Sequence, residues 1–131
     1  MPAQVFELSG AGNLPRRLEH RAQVRRFIEQ NYARPELSIA AIADSLKLSR
    51  RYVQMAFKTE RTTPSEYLRS CRLTAAAQLL CDSAQADRTV TEIAFACGFN
   101  SAAHFSSEFK HAYGVSPRDF RADAQRKTMM E

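Results

Sequence analysis

The stretch that decides the fold is TVTEIAFACGFNSAAHFSSEFK at residues 89–110, because residues 38–58, SIAAIADSLKLSRRYVQMAFK, repeat its pattern. The matching positions lie 51 residues apart before the turn and 52 after it: Ile42 with Ile93, Ala43 with Ala94, Val53 with Phe105, and Phe57 with Phe109. Each copy is predicted to be a short helix, a tight turn and a second helix, which is the helix-turn-helix pattern. In the second turn, Gly98 is a residue free to adopt a positive φ.

The composition favours a small helical protein. Gly is scarce, with 4 in 131 residues, and the net charge of +5 leans towards a polyanionic partner. No apolar run reaches the length of about 18 residues that a membrane-spanning helix needs, and the first residues do not have the pattern of a secretion signal. The three cysteines lack the spacing of a metal site, so we expect reduced thiols, a cytoplasmic location, no metal and no cofactor.

The chain is expected to be all-α, with two helix-turn-helix subdomains joined by a long linker helix and about seven helices in total. The predicted segments are a linker or tail at 1–14, a first subdomain at 15–63, the linker helix at 64–83, a second subdomain at 84–123, and a flexible C-terminal tail at 124–131. Capping boxes at Thr63–Glu66 and Thr89–Glu92 mark two helix starts, and Ser49 and Ser101 can cap the second helix of each copy. The predicted core contains Ile42, Phe57, Ile93, Phe99, Phe105 and Phe109.

The second helix of the first copy has a chemically rich outer face. Val53 and Phe57 take the inward positions, so Arg50, Arg51 and Gln54 are left outward, where Arg can fork onto guanine and Gln onto adenine. From residue 47 to residue 72, seven basic residues stand against two acidic ones. This local excess predicts nucleic-acid binding. The alternative is a helical protein-interaction module whose basic face meets an acidic partner, because helix-turn-helix units also occur in scaffolds.

A family resemblance follows from two longer runs. IAFACGFNSAAHFSSEFKHAYGVSPRDFR resembles the signature of the AraC/XylS family of bacterial transcription regulators, and TPSEYLRSCRLTAAAQLL resembles that family's linking helix. The resemblance covers about residues 16–122. It implies a seven-helix regulator, not an enzyme, that binds double-stranded DNA, usually to activate and sometimes to repress transcription. We expect an activator that also touches RNA polymerase. The resemblance also implies a nucleoid-associated location and, if there is a small-molecule effector, its binding by a domain absent from this chain.

The same resemblance assigns roles to individual residues. Base reading falls to Arg50, Arg51, Gln54 and Met55 in the first copy, and to Ala102, Ala103, Ser106 and Ser107 in the second. The predicted phosphate contacts are Ser49, Lys58, Arg61, Arg69, Arg72, Thr89, Ser101 and Lys110, the Ser and Thr residues through helix starts. The second set of base readers is too short for forked contacts, so we expect the first copy to supply most of the sequence discrimination. The expected site is asymmetric and spans two successive major-groove segments.

Three further expectations concern single residues. The first copy has no glycine where the second has Gly114, so the end of its second helix must be closed differently. Cys97 replaces an apolar core residue and is expected to be inert. His104 is expected to be a partly packed polar side chain rather than a catalytic base.

Overall fold

A computed structural model describes residues 13–58 and 60–130, with side chains from Glu19 onward. Within those residues it contains seven α-helices, one short 3-10 turn at Ser83–Gln85 and no β-strand. The helices are α1 Asn13–Asn31, α2 Ile39–Leu46, α3 Arg50–Met55, α4 Pro64–Cys81, α5 Val90–Ala96, α6 Ala102–Tyr113 and α7 Pro117–Met130. The all-α prediction is confirmed. None of the helices in this described part is both long and apolar enough to cross a membrane.

The chain divides into two compact units. The first comprises residues up to Asn31 together with Glu36–Leu68, and the second comprises Tyr32–Pro35 and residues from Arg69 onward. The division therefore falls within α4.

The first unit is built from α1, α2, α3 and the first turns of α4. In α1, the buried residues Val24 and Ile28 lie one turn apart, as a helix with a single buried face requires. The small Ala43 of α2 is also buried, and α1, α2 and α3 pack against one another. The core of this unit is apolar: Val24, Ile28, Leu37, Ile42, Ala43, Val53, Ala56, Phe57 and Leu68.

The second unit has a core rich in aromatic rings. Phe105 lies between Phe99 and Phe109, with ring centroids 5.0 and 5.6 Å away. Phe120 of α7 packs edge-on against Phe109 at 5.2 Å, which fixes α7 on α6. All six predicted core residues of the two units are 5 % exposed or less, so that prediction is confirmed.

The helix starts follow the predicted caps. The hydroxyls of Ser49 and Ser101 accept backbone N–H bonds at the starts of α3 and α6, both at 3.1 Å. Thr89 and Glu92 form a complete capping box at α5, and the Thr63 hydroxyl accepts the Glu66 N–H at the start of α4. Such caps satisfy backbone donors that a helix start leaves unpaired.

The turns of the two copies share a conformation but not a residue type. Gly98 has the expected positive φ of +100°, and Lys47, 51 residues earlier, also adopts a left-handed conformation at φ 58°. A side chain at positive φ is strained, so the first copy forms its turn at an energetic cost that the second copy avoids.

Two helix ends differ from each other in the way that the missing glycine predicts. Helix α6 ends at Gly114 with φ +80°. Helix α3 ends at Met55 instead, and the chain continues in tight turns, with the N–H of Phe57 bonded to the carbonyl of Gln54.

The C-terminal segment is where structure and expectation differ. Residues 124–130, predicted to be a tail, continue α7 to Met130. The reason is that good helix formers fill this run after Pro117 with no glycine or further proline. At the other end, Asn13 and Leu14 already belong to α1, while the rest of the predicted linker, 1–12, lies outside the described residues.

Candidate nucleic-acid interface

Helix α3 exposes the side chains that the sequence predicts to read bases. Arg50, Arg51 and Gln54 are exposed and Met55 is partly exposed, whereas Val53 on the same helix is fully buried. In a helix of 3.6 residues per turn, the four outward residues share one face opposite Val53. That face offers two guanidinium groups and one carboxamide, the groups best suited to bidentate contacts with base edges.

Helix α6 exposes the matching face with different chemistry. Ala103 and Ser107 are exposed, Ala102 and Ser106 are partly exposed, and Phe105 is buried between them. Methyl and hydroxyl groups can contact a thymine methyl or a phosphate but cannot fork onto a base pair. The exposed faces of α3 and α6 therefore differ in the chemical groups they offer for contacts with base edges.

A groove lies beside α3, within the first unit. It has a volume of about 500 Å³ and lies between α3, the loop that follows and the first turn of α4. Its lining includes three basic residues, Arg51, Lys58 and Arg61, all exposed. Two predicted phosphate contacts, Lys58 and Arg61, thus lie in the same groove as Arg51, which is predicted to read bases.

The other predicted phosphate residues have more varied surroundings. Ser49, Thr89 and Ser101 use their hydroxyl oxygens as helix caps, and Lys110 is exposed near the end of α6. The Arg69 guanidinium lies 3.6 Å from the carboxylate of Glu108. For all of these residues, contact with phosphate stays a prediction.

Arg72, also a predicted phosphate contact, makes two hydrogen bonds within the protein. Its Nε donates to the carbonyl of Tyr32 at 2.7 Å and its Nη2 donates to the carbonyl of Arg34 at 2.8 Å. Both acceptors belong to the loop between α1 and α2, which a guanidinium fork ties down. The turn at Gly98 approaches the same place so closely that an added Cβ would lie 2.7 Å from Arg72 Nε. These contacts give Arg72 a structural role, and its contact with phosphate stays a prediction.

The first unit contains an ionic cluster that the sequence did not predict. Glu60, in the loop after α3, pairs with Arg21 and Arg25 of α1 at 3.4 and 3.2 Å. The Arg25 guanidinium also lies 4.9 Å from the ring centroid of Tyr67. A side-chain hydrogen bond to Tyr67 raises the pKa of Arg25, and the charges of Glu60 and Glu29 add to this. No local motif marks such a cluster, because Glu60 lies 35 residues from Arg25 and 39 from Arg21 in sequence.

The remaining polar groups do not indicate an active site. Cys97 is buried, and burial raises the pKa of its thiol to about 11, in the direction that an unreactive thiol requires. Hydrogen bonds from the Thr89 backbone and hydroxyl lower the pKa of Glu92, as its capping role requires. His104 is exposed rather than partly packed, with its ring 6.3 Å from that of Phe99. The described residues hold no group of His, Cys, Asp and Glu side chains that could bind a metal ion.

Comparisons with known proteins agree with this geometry. A family model described as a helix-turn-helix domain matches residues 42–123. The transcriptional activator RhrA of Rhizobium meliloti is 34 % identical over 113 residues, or 84 % of this chain and 36 % of that protein. The transcriptional activator RhaS of Escherichia fergusonii is 39 % identical over 115 residues, or 87 % of this chain and 39 % of that protein. The chain thus spans less than two fifths of the length of these relatives.

Two solved structures are similar over nearly their whole length. An AraC-type regulator from Chromobacterium violaceum is 34 % identical, with a TM-score of 0.69, over 87 % of this chain and 96 % of that one. The DNA-binding domain of AdpA, solved in complex with a target DNA, is 25 % identical with a TM-score of 0.72, over 82 % and 94 % of the two chains. The chain belongs to the AraC/XylS family of transcription regulators and carries that family's helix-turn-helix DNA-binding domain.

Proposed function

We propose that this protein regulates transcription by reading two successive major-groove segments of an asymmetric DNA site, with α3 supplying most of the base discrimination. The observation that carries the proposal is the outer face of α3. Arg50, Arg51 and Gln54 are exposed there, while Val53 anchors the helix in the core. The matching positions of α6 hold only alanine and serine, so its contribution is weaker contact with methyl groups and phosphates.

We further propose that the protein acts as an activator at the bacterial nucleoid, in the cytoplasm, and touches RNA polymerase. This follows the relatives RhrA and RhaS, both of which are named as activators. A small-molecule effector, if one controls the protein, would be recognised by a domain separate from these residues.

Base-by-base binding profiles test the assignment of α3. The binding site is first selected from a random DNA library, and each position is then varied in turn. Arg51→Ala and Gln54→Ala should each relax the preference at one or two base pairs in one half of the site, by about 1–3 kcal/mol per lost bidentate contact. Matched substitutions in α6, Ala103→Gly and Ser106→Ala, should change the profile of the other half much less. Two results together would contradict the proposal: equally strong base preference in both halves of the site for the unmodified protein, and a loss of preference in the α6 half alone on substitution of Ala103.

The second candidate function is protein binding, and one observation favours a protein contact. Phe95 in α5 is half exposed, whereas the matching position of the first copy holds the polar residue Asp44. A salt series of DNA binding separates the two functions, because phosphate contacts give a steep dependence of log affinity on log salt. A flat salt dependence with no selected site would favour the protein-interaction module.

A further inference from the structure

The loop after α3 places three charged side chains at the groove, and they differ in their ion pairing. Lys58 and Arg61 line the groove and are exposed. Glu60 also borders the groove, but its Oε1 atom is engaged by the Nη1 atoms of Arg21 and Arg25, at 3.4 and 3.2 Å. The only one of these three charges that would repel a phosphate is therefore the one bound to two cations.

The partners of Glu60 are themselves fixed in place. The Arg25 guanidinium lies 4.9 Å from the ring centroid of Tyr67, whose hydroxyl bonds to the carboxylate of Glu29. The Tyr67 ring in turn lies 5.8 Å from the buried ring of Phe57. These contacts connect the loop to α1 and α4. The position of Glu60 therefore depends on Arg25, which is in turn packed against Tyr67.

The charge balance of the groove depends on this arrangement. Three basic residues line it, and so do two acidic ones, Glu60 and Glu66. Glu66 is engaged at the start of α4, where its carboxylate accepts a hydrogen bond from the Thr63 hydroxyl at 3.2 Å. With Glu60 neutralised by two arginines, the balance is positive. With Glu60 released, a carboxylate would stand beside Lys58 and Arg61 and cancel much of their attraction for an anion.

We propose that this groove seats one phosphate of the DNA backbone, and that Arg21 and Arg25 support that seat without touching DNA, by holding and neutralising Glu60. Lys58 and Arg61 supply the attraction for the phosphate. Arg21, Arg25 and Glu60 are positioning residues. This inference rests on the proposed function, because it takes DNA as the ligand.

The test uses the full chain and its selected DNA site, titrated at several salt concentrations. Lys58→Gln and Arg61→Gln should each lower the slope of log affinity against log salt, by about 0.9 when the two are combined because one phosphate is then lost, and should leave the base preference unchanged. Arg25→Met should weaken binding by about three-fold more than Arg26→Met, a control that removes the same charge from the next, exposed position of α1. Adding Glu60→Gln to Arg25→Met should restore the affinity to the level of the Arg26→Met control.

The rescue distinguishes charge from structure. If Arg25 only stabilised the fold, removing the Glu60 charge as well would not restore binding, so a double variant no better than Arg25→Met would overturn the proposal. Unchanged salt slopes for Lys58→Gln and Arg61→Gln would overturn it too. Melting curves confirm that each variant is folded at the temperature of the titration. If the unmodified protein binds no selected site, the proposed function fails. If the unmodified protein binds its selected site but Arg25→Met binds as tightly as Arg26→Met, only this inference fails.

Discussion

The turn at Gly98 gives the sharpest test of the fold. Its φ of +100° lies in a region that side chains rarely adopt. A Cβ at this position would lie 2.5 Å from the carbonyl oxygen of Tyr32 and 2.7 Å from Nε of Arg72. Nε of Arg72 donates a hydrogen bond to the carbonyl oxygen of Tyr32, so neither atom can move away without loss of that bond. Gly98→Ala therefore combines a backbone penalty with a collision.

The two contributions can be separated with a second glycine. Gly114 also has a positive φ, +80°, but a Cβ there would meet nothing within 4 Å. Gly114→Ala should therefore cost only the backbone penalty of about 1–2 kcal/mol, offset in part by the lower entropy of the unfolded chain. Gly98→Ala adds a further ~1–3 kcal/mol for crowding against fixed atoms. Lys47→Gly should do the reverse and stabilise the protein slightly, because the left-handed turn is then formed without a side chain.

Urea unfolding at 25 °C, followed by circular dichroism, measures all three variants under the same conditions. The expected order of stability is Lys47→Gly, wild type, Gly114→Ala and then Gly98→Ala. The reasoning is refuted if Gly98→Ala is as stable as Gly114→Ala. That result would mean that the approach of the turn to Tyr32 and Arg72 is looser than described.

Two further predictions follow from the pKa shifts. A thiol reagent should modify exposed Cys81 in the native protein and reach buried Cys97 only on unfolding, which mass spectrometry of the modified peptides would show; rapid native labelling of Cys97 would contradict its burial. Because the pKa of Glu92 is lowered in the folded state, its capping contribution should be fully present above the ordinary pKa of a glutamate and be lost as the pH falls through the lower folded-state pKa. The acid branch of a stability–pH curve should therefore be shallower for Glu92→Gln, and an unchanged branch would count against the capping role.

Features encoded by local periodicity could be predicted from the sequence. The helical pattern of apolar residues placed Ile42, Phe57 and Phe109 in the core, and all three are buried. The caps at Ser49 and Thr89 could be predicted for the same reason, since a cap involves residues only three positions apart.

Features that depend on contacts between residues far apart in the chain could not be predicted from the sequence. Arg72 has the charge and exposure pattern of a phosphate ligand in the sequence, yet its acceptors are backbone carbonyls 38 and 40 residues away. The pairing of Glu60 with Arg25 spans 35 residues and leaves no periodic signal. The C-terminal part of α7 could not be predicted from apolar periodicity for another reason, because residues 124–130 are helical but have no core-facing pattern.

The two copies of the motif differ in a consistent direction. The first copy has a strained residue in its turn, Lys47, and its second helix, α3, has only six residues, but that helix exposes Arg51 and Gln54. The second copy has glycine at the turn and at the end of its second helix, and its core is aromatic. That helix, α6, has twelve residues, but the positions matching Arg50, Arg51 and Gln54 hold alanine and serine. Since a protein needs only a small net stability, one copy can tolerate strain if the other does not. If the first copy supplies most of the base discrimination, as proposed, the exposed Arg51 and Gln54 lie on the shorter helix, beside the turn with the strained residue.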